Sequence, residues 1–247
     1  MMDPALAHSP TSTADSPAVV APPSAAATAE AARYAVLRRL GPALKHDMVV
    51  NLQAVAMMTE VLGAKLERGV PSQSELQNSM ARIHRLAREA VANCLRVVGW
   101  LEPAEDESIG VREGVDECLA LVRSNFNFRG FVLRTELPAN DFDVSRVLLR
   151  HLLLASLLHL TDEAPAGGEV SVHAEIAGGM VRLALQLQPG RGDTEAMPFE
   201  PPYRQVLWSD VQALADADGA QLRREDDRIL IRLPRMVATG PVGIAPL

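Results

Sequence analysis

"RRLGPALKHDMVVNLQAVAMMTEVL", residues 38–62, reads as a helix whose polar side carries a His-Asp pair, His46-Asp47. Apolar residues recur at Leu37, Leu40, Leu44, Met48, Leu52, Val55, Met58, Leu62 and Leu66. Gaps of three and four place them on one stripe of a 3.6-residue helix. The pattern spans residues 29–68 and ends at "RGVPSQSE" (68–75). There Gly69 suits a C-cap, Pro71 stops the helix, and Ser72 with Glu75 has capping-box spacing for a second one. The second helix, over 73–100, carries Leu76, Met80, Ile83, Leu86, Ala90, Val91, Leu95 and Val98. Two such helices across a short turn predict an antiparallel hairpin. Neither stripe can be hidden fully by the other, so a homodimer forming a four-helix bundle is the expectation.

The chain has 247 residues, 48% of them apolar, which suffices for a packed core. A net charge of −7 argues against a general nucleic-acid binder, which carries a basic face. The two cysteines, Cys94 and Cys118, stand alone in helical patterns. They form neither a disulfide framework nor a zinc site, and a reducing cytoplasm fits them. The most apolar run, "VLLRHLLLASLLHL" (147–160), is shorter than a membrane span and contains Arg150, His151 and His159. No signal peptide is read in the first residues, where Arg33 is the first cation. No membrane partner is expected.

Residues 1–28 are rich in Ala, Pro, Ser and Thr and read as a disordered tail, with a flexible tail at 236–247. Between them lie the hairpin domain, 29–101, an acidic linker "EPAEDES" (102–108), and a mixed domain, 108–235. Within the latter, "GVREGVDECLALVRSNFNFRG" reads as helix, "FVLRTELP" as strand and "DVSRVLLRHLLLASLLHLTDEA" as a long buried helix. "EVSVHAEIAGGMVRLALQLQP" and "AQLRREDDRILIRLP" read as β-hairpins, with "PYRQVLWSDVQALADADG" a helix between them. Helices on one face of a mostly antiparallel sheet give an α+β sandwich. "RREDDR" (223–228) reads as a solvated hairpin tip, and His84, His151 and His173 as ordinary surface or packing residues.

This order of elements resembles the transmitter core of bacterial sensor histidine kinases over residues 30–235. "LKHDMVVNLQAVAMMTEVL" resembles the H-box of the dimerisation and phosphotransfer helix, where a His followed by an acid accepts a phosphoryl group. The resemblance implies His46 as phosphoacceptor and Asp47 as the residue that orients or activates it. Lys45 and Arg38 would screen the phosphoryl charge. Where such kinases often carry a Thr or Asn for dephosphorylation, four residues after the His, Val50 stands instead, with Asn51 one step on.

The second domain is similar to the family's ATPase domain, with departures. The magnesium-binding Asn is missing, because no Asn follows Asn140; its slot is Ala155 or His159. The acid that binds adenine falls at Gln188. The glycine-rich lid is replaced by "MPFEPPYRQVLWSD", and no glycine occurs between Gly192 and Gly219. The resemblance therefore implies a degenerate nucleotide site and no cofactor of the chain's own. It is strongest to the dimeric histidine phosphotransferases that have lost ATP binding. Expected partners are response-regulator receiver domains, supplying the Mg²⁺, and a hybrid histidine kinase. They would dock about His46 near Met48, Gln53 and Ala54. The alternative is a non-catalytic scaffold binding a kinase or regulator, with His46 incidental.

Overall fold

The computed structural model describes residues 23–69, 71–101, 107–138, 142–190 and 203–236. Most of both expected tails, most of the acidic linker and the first part of the lid-like stretch lie outside these residues. The first helix, α1 (Ala25–Arg68), begins four residues earlier than its apolar periodicity indicates. Ser24 explains the start: its hydroxyl accepts a hydrogen bond from the Ala27 N–H at 3.2 Å. The alanines counted with the tail are strong helix formers, and Ala29, Ala32 and Ala35 find a protein surface that buries them. The second helix, α2 (Gln73–Leu101), starts on the expected capping box. The Glu75 carboxylate accepts from the Ser72 N–H at 2.9 Å, and the Ser72 hydroxyl from the Glu75 N–H at 3.3 Å.

The remaining elements are β1 (Ser108–Gly110), α3 (Val111–Phe128), β2 (Phe131–Glu136), β3 (Asp143–Ser145) and α4 (Arg146–Glu163). They are followed by β4 (Gly168–Ala177), β5 (Met180–Pro189), α5 (Trp208–Ala217), β6 (Gln221–Glu225) and β7 (Arg228–Pro234). Five strands form one sheet in the order β2-β4-β5-β7-β6. Only β2 and β4 run parallel; the other neighbours are antiparallel. This is the expected α+β architecture. Two features were not legible: β1 and β3 make a separate two-stranded ribbon, and α5 is confined to ten residues. Residues 203–207, read as helix, lie outside it instead, with Leu207 extended just before the first turn. Nor is residue 236 free, since its N–H donates to the Asp143 carbonyl at 2.8 Å.

Strand alternation turns Val170, Val172, Leu183, Leu185, Ile229 and Ile231 toward the helices, where all are buried. The opposite sheet face carries His173, Glu175, Arg182, Gln186 and Arg232 in solvent. The β4–β5 turn at Gly178-Gly179 has positive φ at both residues, 61° and 74°, which the two-residue hairpin requires and glycine supplies. Helix α4 is buried nearly all round, from Leu148 to Thr161. The sheet covers one side and α3 and α5 flank it, while the first half of α1 runs across the outside.

One carboxylate ties these layers together. Asp162, at the end of α4, accepts two hydrogen bonds from Arg39 of α1, at 2.5 and 2.8 Å. It also accepts from Arg129, after α3, at 3.2 Å, and from the Val206 N–H at 3.3 Å. All three charged side chains are more than nine-tenths buried. At the other helix of the hairpin, Arg150 of α4 donates to the Gly99 carbonyl at 3.1 Å and lies 4.3 Å from the Trp100 ring. The same guanidinium binds Glu117 of α3. A buried ion pair is no guarantee of net stability, but removing one member leaves an uncompensated charge. Asp162→Ala is therefore expected to cost about 3–5 kcal/mol, measured by urea unfolding against wild type.

Candidate functional site

His46 lies two turns beyond Arg39 on α1, where the helix has left the α/β domain and pairs with α2. The face toward α2 is formed by Met48, Asn51, Val55, Met58 and Leu62, all half-buried. His46 points away from it, and its side chain is 74% exposed. Asp47 is half exposed, with a carboxylate oxygen 3.5 Å from His46 Nδ1. The ring's Nε2 has no partner among the described residues. A carboxylate at Nδ1 favours the tautomer with its proton there and leaves the Nε2 lone pair toward water.

The supporting residues are less well gathered. Lys45 is exposed beside His46. Arg38 lies about 12 Å further down the helix axis and rests 5.1 Å from the Tyr203 ring centroid. Asn51 turns its amide back to the Asp47 carbonyl at 3.1 Å. Five residues put it about 140° around the helix from His46, on the α2 side. Neither Arg38 nor Asn51 is gathered beside the His46 ring: axial distance separates the first and helical phase the second.

The three positions corresponding to nucleotide ligands are also dispersed. Ala155 is fully buried within α4. Gln188 is exposed on the sheet face opposite the helices, since its neighbour Leu187 is the one turned inward. His159 is fully buried, but its imidazole is consumed internally. Nδ1 meets the Val206 carbonyl at 3.0 Å and Nε2 meets Arg224 Nη1 at 2.8 Å. A carbonyl only accepts and a guanidinium only donates, so the proton sits on Nδ1. Arg224 continues to Glu163 at 2.5 Å and lies 5.7 Å from the Trp208 ring. Arg224 is thus half-buried toward α4, unlike the solvated face its charge run suggests.

The segment before α5 is held down over α4 by this network. Val206 is buried, with its carbonyl on His159 and its N–H on Asp162. Asp210 accepts from the Leu207 N–H at 2.8 Å and from Arg204 at 2.6 and 2.9 Å. Burial works against the charged form of Asp210, but these donors outweigh it and hold its carboxyl below the ordinary range. Both ring nitrogens of His159 are therefore engaged within the protein, Nδ1 by the backbone carbonyl of Val206 and Nε2 by Arg224. Cys118, fully buried beside Glu117, has its thiol pushed far up by burial and is no nucleophile.

No family model matches the chain, and no curated protein does. Among solved structures it is similar to a bacterial phosphotransferase, at 19% identity over 80% of this chain and 95% of that one, TM-score 0.37. It is also similar to the Acinetobacter baumannii histidine kinase AdeS, at 14% identity over 76% and 97%, TM-score 0.39. A third is the histidine kinase ThkA in complex with the response regulator TrrA, at 13% identity over 83% and 63%, TM-score 0.41. None of these likenesses carries an activity or a partner to this chain.

His159→Asn places a side-chain amide in α4 without opening the space above it. Magnesium-ATP binding is expected to stay at background by calorimetry, and the melting temperature to fall, because Val206 and Arg224 lose a shaped partner.

Proposed function

We propose that this chain is a histidine phosphotransfer protein that works without ATP. The observation that carries the reading is His46: a ring three-quarters exposed, with Asp47 at Nδ1 and Nε2 left to solvent. In the forward step the Nε2 lone pair attacks the phosphorus of an aspartyl phosphate on a receiver domain. The N–P bond forms as the P–O bond to the aspartate breaks, and the receiver's carboxylate is regenerated. Asp47 stabilises the positive charge that develops on the ring. A second receiver's aspartate then attacks the phosphohistidine, with Mg²⁺ on the receivers neutralising the transferring group. Among the described residues, Lys45 is the cation next to the reacting ring.

A second copy of the chain completes the hairpin. Beyond the face toward α2, α1 exposes Val49, Leu52 and Leu66, and α2 exposes Met80, Val91, Leu95 and Val98. Their spacings of three and fourteen on α1, and of eleven, four and three on α2, are each near a whole number of turns and make one further apolar seam on each helix. One stretch of α1 is even apolar enough to cross a membrane by length and composition, and none of it is buried within the monomer. A partner hairpin covers such a seam with matching helices, giving a four-helix bundle. Leu52→Asp is expected to convert a dimer to a monomer in light-scattering measurements.

The test of transfer uses receiver domains from the same genome, labelled with radioactive acetyl phosphate and mixed with wild type or His46→Gln. Label is expected on wild type, passing to a second receiver, and none on the variant. Equal labelling of both, or of neither, removes the proposal; partner binding unchanged by His46→Ala would then favour the scaffold reading.

A further inference from the structure

Helix α1 contains a mechanical weak point between the α/β domain and His46. Gly41 meets nothing within 4 Å of where a side chain would stand, and Pro42 lies inside the helix. Proline lacks an N–H, so the helical hydrogen bond to residue 38 is missing, and such positions bend and flex. Were Arg39 the only attachment, the hairpin would pivot about residues 41 and 42. The second attachment lies on the other helix, where Gly99 and Trp100 are held by Arg150. Leu40, Leu44 and Trp100 are all buried in the same core. The weak point is therefore straddled, with an anchor on each helix of the hairpin.

We infer that the two clamps, Asp162 on Arg39 and Arg150 on the end of α2, join the hairpin and the α/β domain into one rigid piece. Asp162 is in this sense a positioning residue for His46. Arg39 and His46 are seven residues apart, so their side chains leave α1 within about 20° of each other and about 10 Å apart along the axis. Because Arg39 points into the α/β domain, His46 overhangs that domain in a fixed direction. A domain so held cannot swing toward His46. It acts as a base that sets how the imidazole is presented. This inference does not depend on the chemistry of His46.

The experiment measures single-molecule energy transfer within one chain. Dyes are placed on Asn78→Cys near the hairpin tip and Gln186→Cys on the open sheet face, in a Cys94→Ser background. Cys118 is buried and stays unlabelled. A large excess of unlabelled protein ensures that no molecule carries two labelled chains. Wild type is expected to give one narrow distance, unchanged between low and high salt because the clamps are buried. The double variant Arg39→Gln, Arg150→Ala is expected to broaden that distribution severalfold, and Arg39→Gln alone to broaden it less. A broad wild-type distribution overturns the inference whatever the variants do. So does a distribution as narrow as wild type in a double variant, or in Arg39→Gln alone, that keeps native circular dichroism.

Discussion

A carboxylate taken out of water must be repaid in hydrogen bonds, and the whole layout of this protein follows from how Asp162 meets that demand. Three separate parts of the chain supply its donors: α1, the turn after α3, and the segment before α5. None of these parts can be repositioned without stranding either the anion or a buried guanidinium. Apolar contacts between Ala32, Val36, Leu40 and the helical layer provide the driving force for association, but they are non-directional. The ion cluster adds direction: it selects one register and one rotation of α1 against α4.

Much of this architecture could be read from residue patterns. The hairpin was legible because helical periodicity and a capping box are local properties, as were the glycine turn at 178–179 and the alternation of β4, β5 and β7. The start of α1 was not, because the alanines at 25–27 have no apolar periodicity to mark them as helix and the Ser24 cap sits among the serines and prolines of a tail-like stretch. The roles of Arg39, Asp162 and Arg224 were invisible for the same reason: each depends on partners more than 60 residues away. At the candidate site, His46 and Asp47 could be recognised because they are adjacent and share one helix. Arg38 and Asn51, named as supporting residues, stand apart from His46 by about 12 Å along the helix axis and by about 140° around it, respectively. The position of His159 could be matched to a ligand slot, but not its engagement with Val206.

The two halves of the protein thereby differ in kind. In the α/β domain, His159 closes a buried polar knot, with no donor or acceptor of its ring to spare. On the hairpin, polar groups at His46 and Asp47 are left in water, surrounded by apolar side chains that the monomer does not cover. Exposed polar groups and uncovered apolar side chains thus lie side by side on the hairpin.

The contact between Arg33 and Asp218 spans 185 residues of chain, which has a consequence for synthesis. A ribosome adding roughly 5–20 residues per second finishes the upper half of α1 and its partner α2 in quick succession, and the two can zip together locally. The lower half must wait roughly 10–40 s at that rate for α5 to emerge. Throughout that interval the lower half of α1 lacks its α5 surface, although α3 and α4, which also touch α1, emerge earlier. The nascent protein therefore exposes part of an alanine- and leucine-lined helix until almost the last element is made, a natural target for the chaperones that meet growing chains.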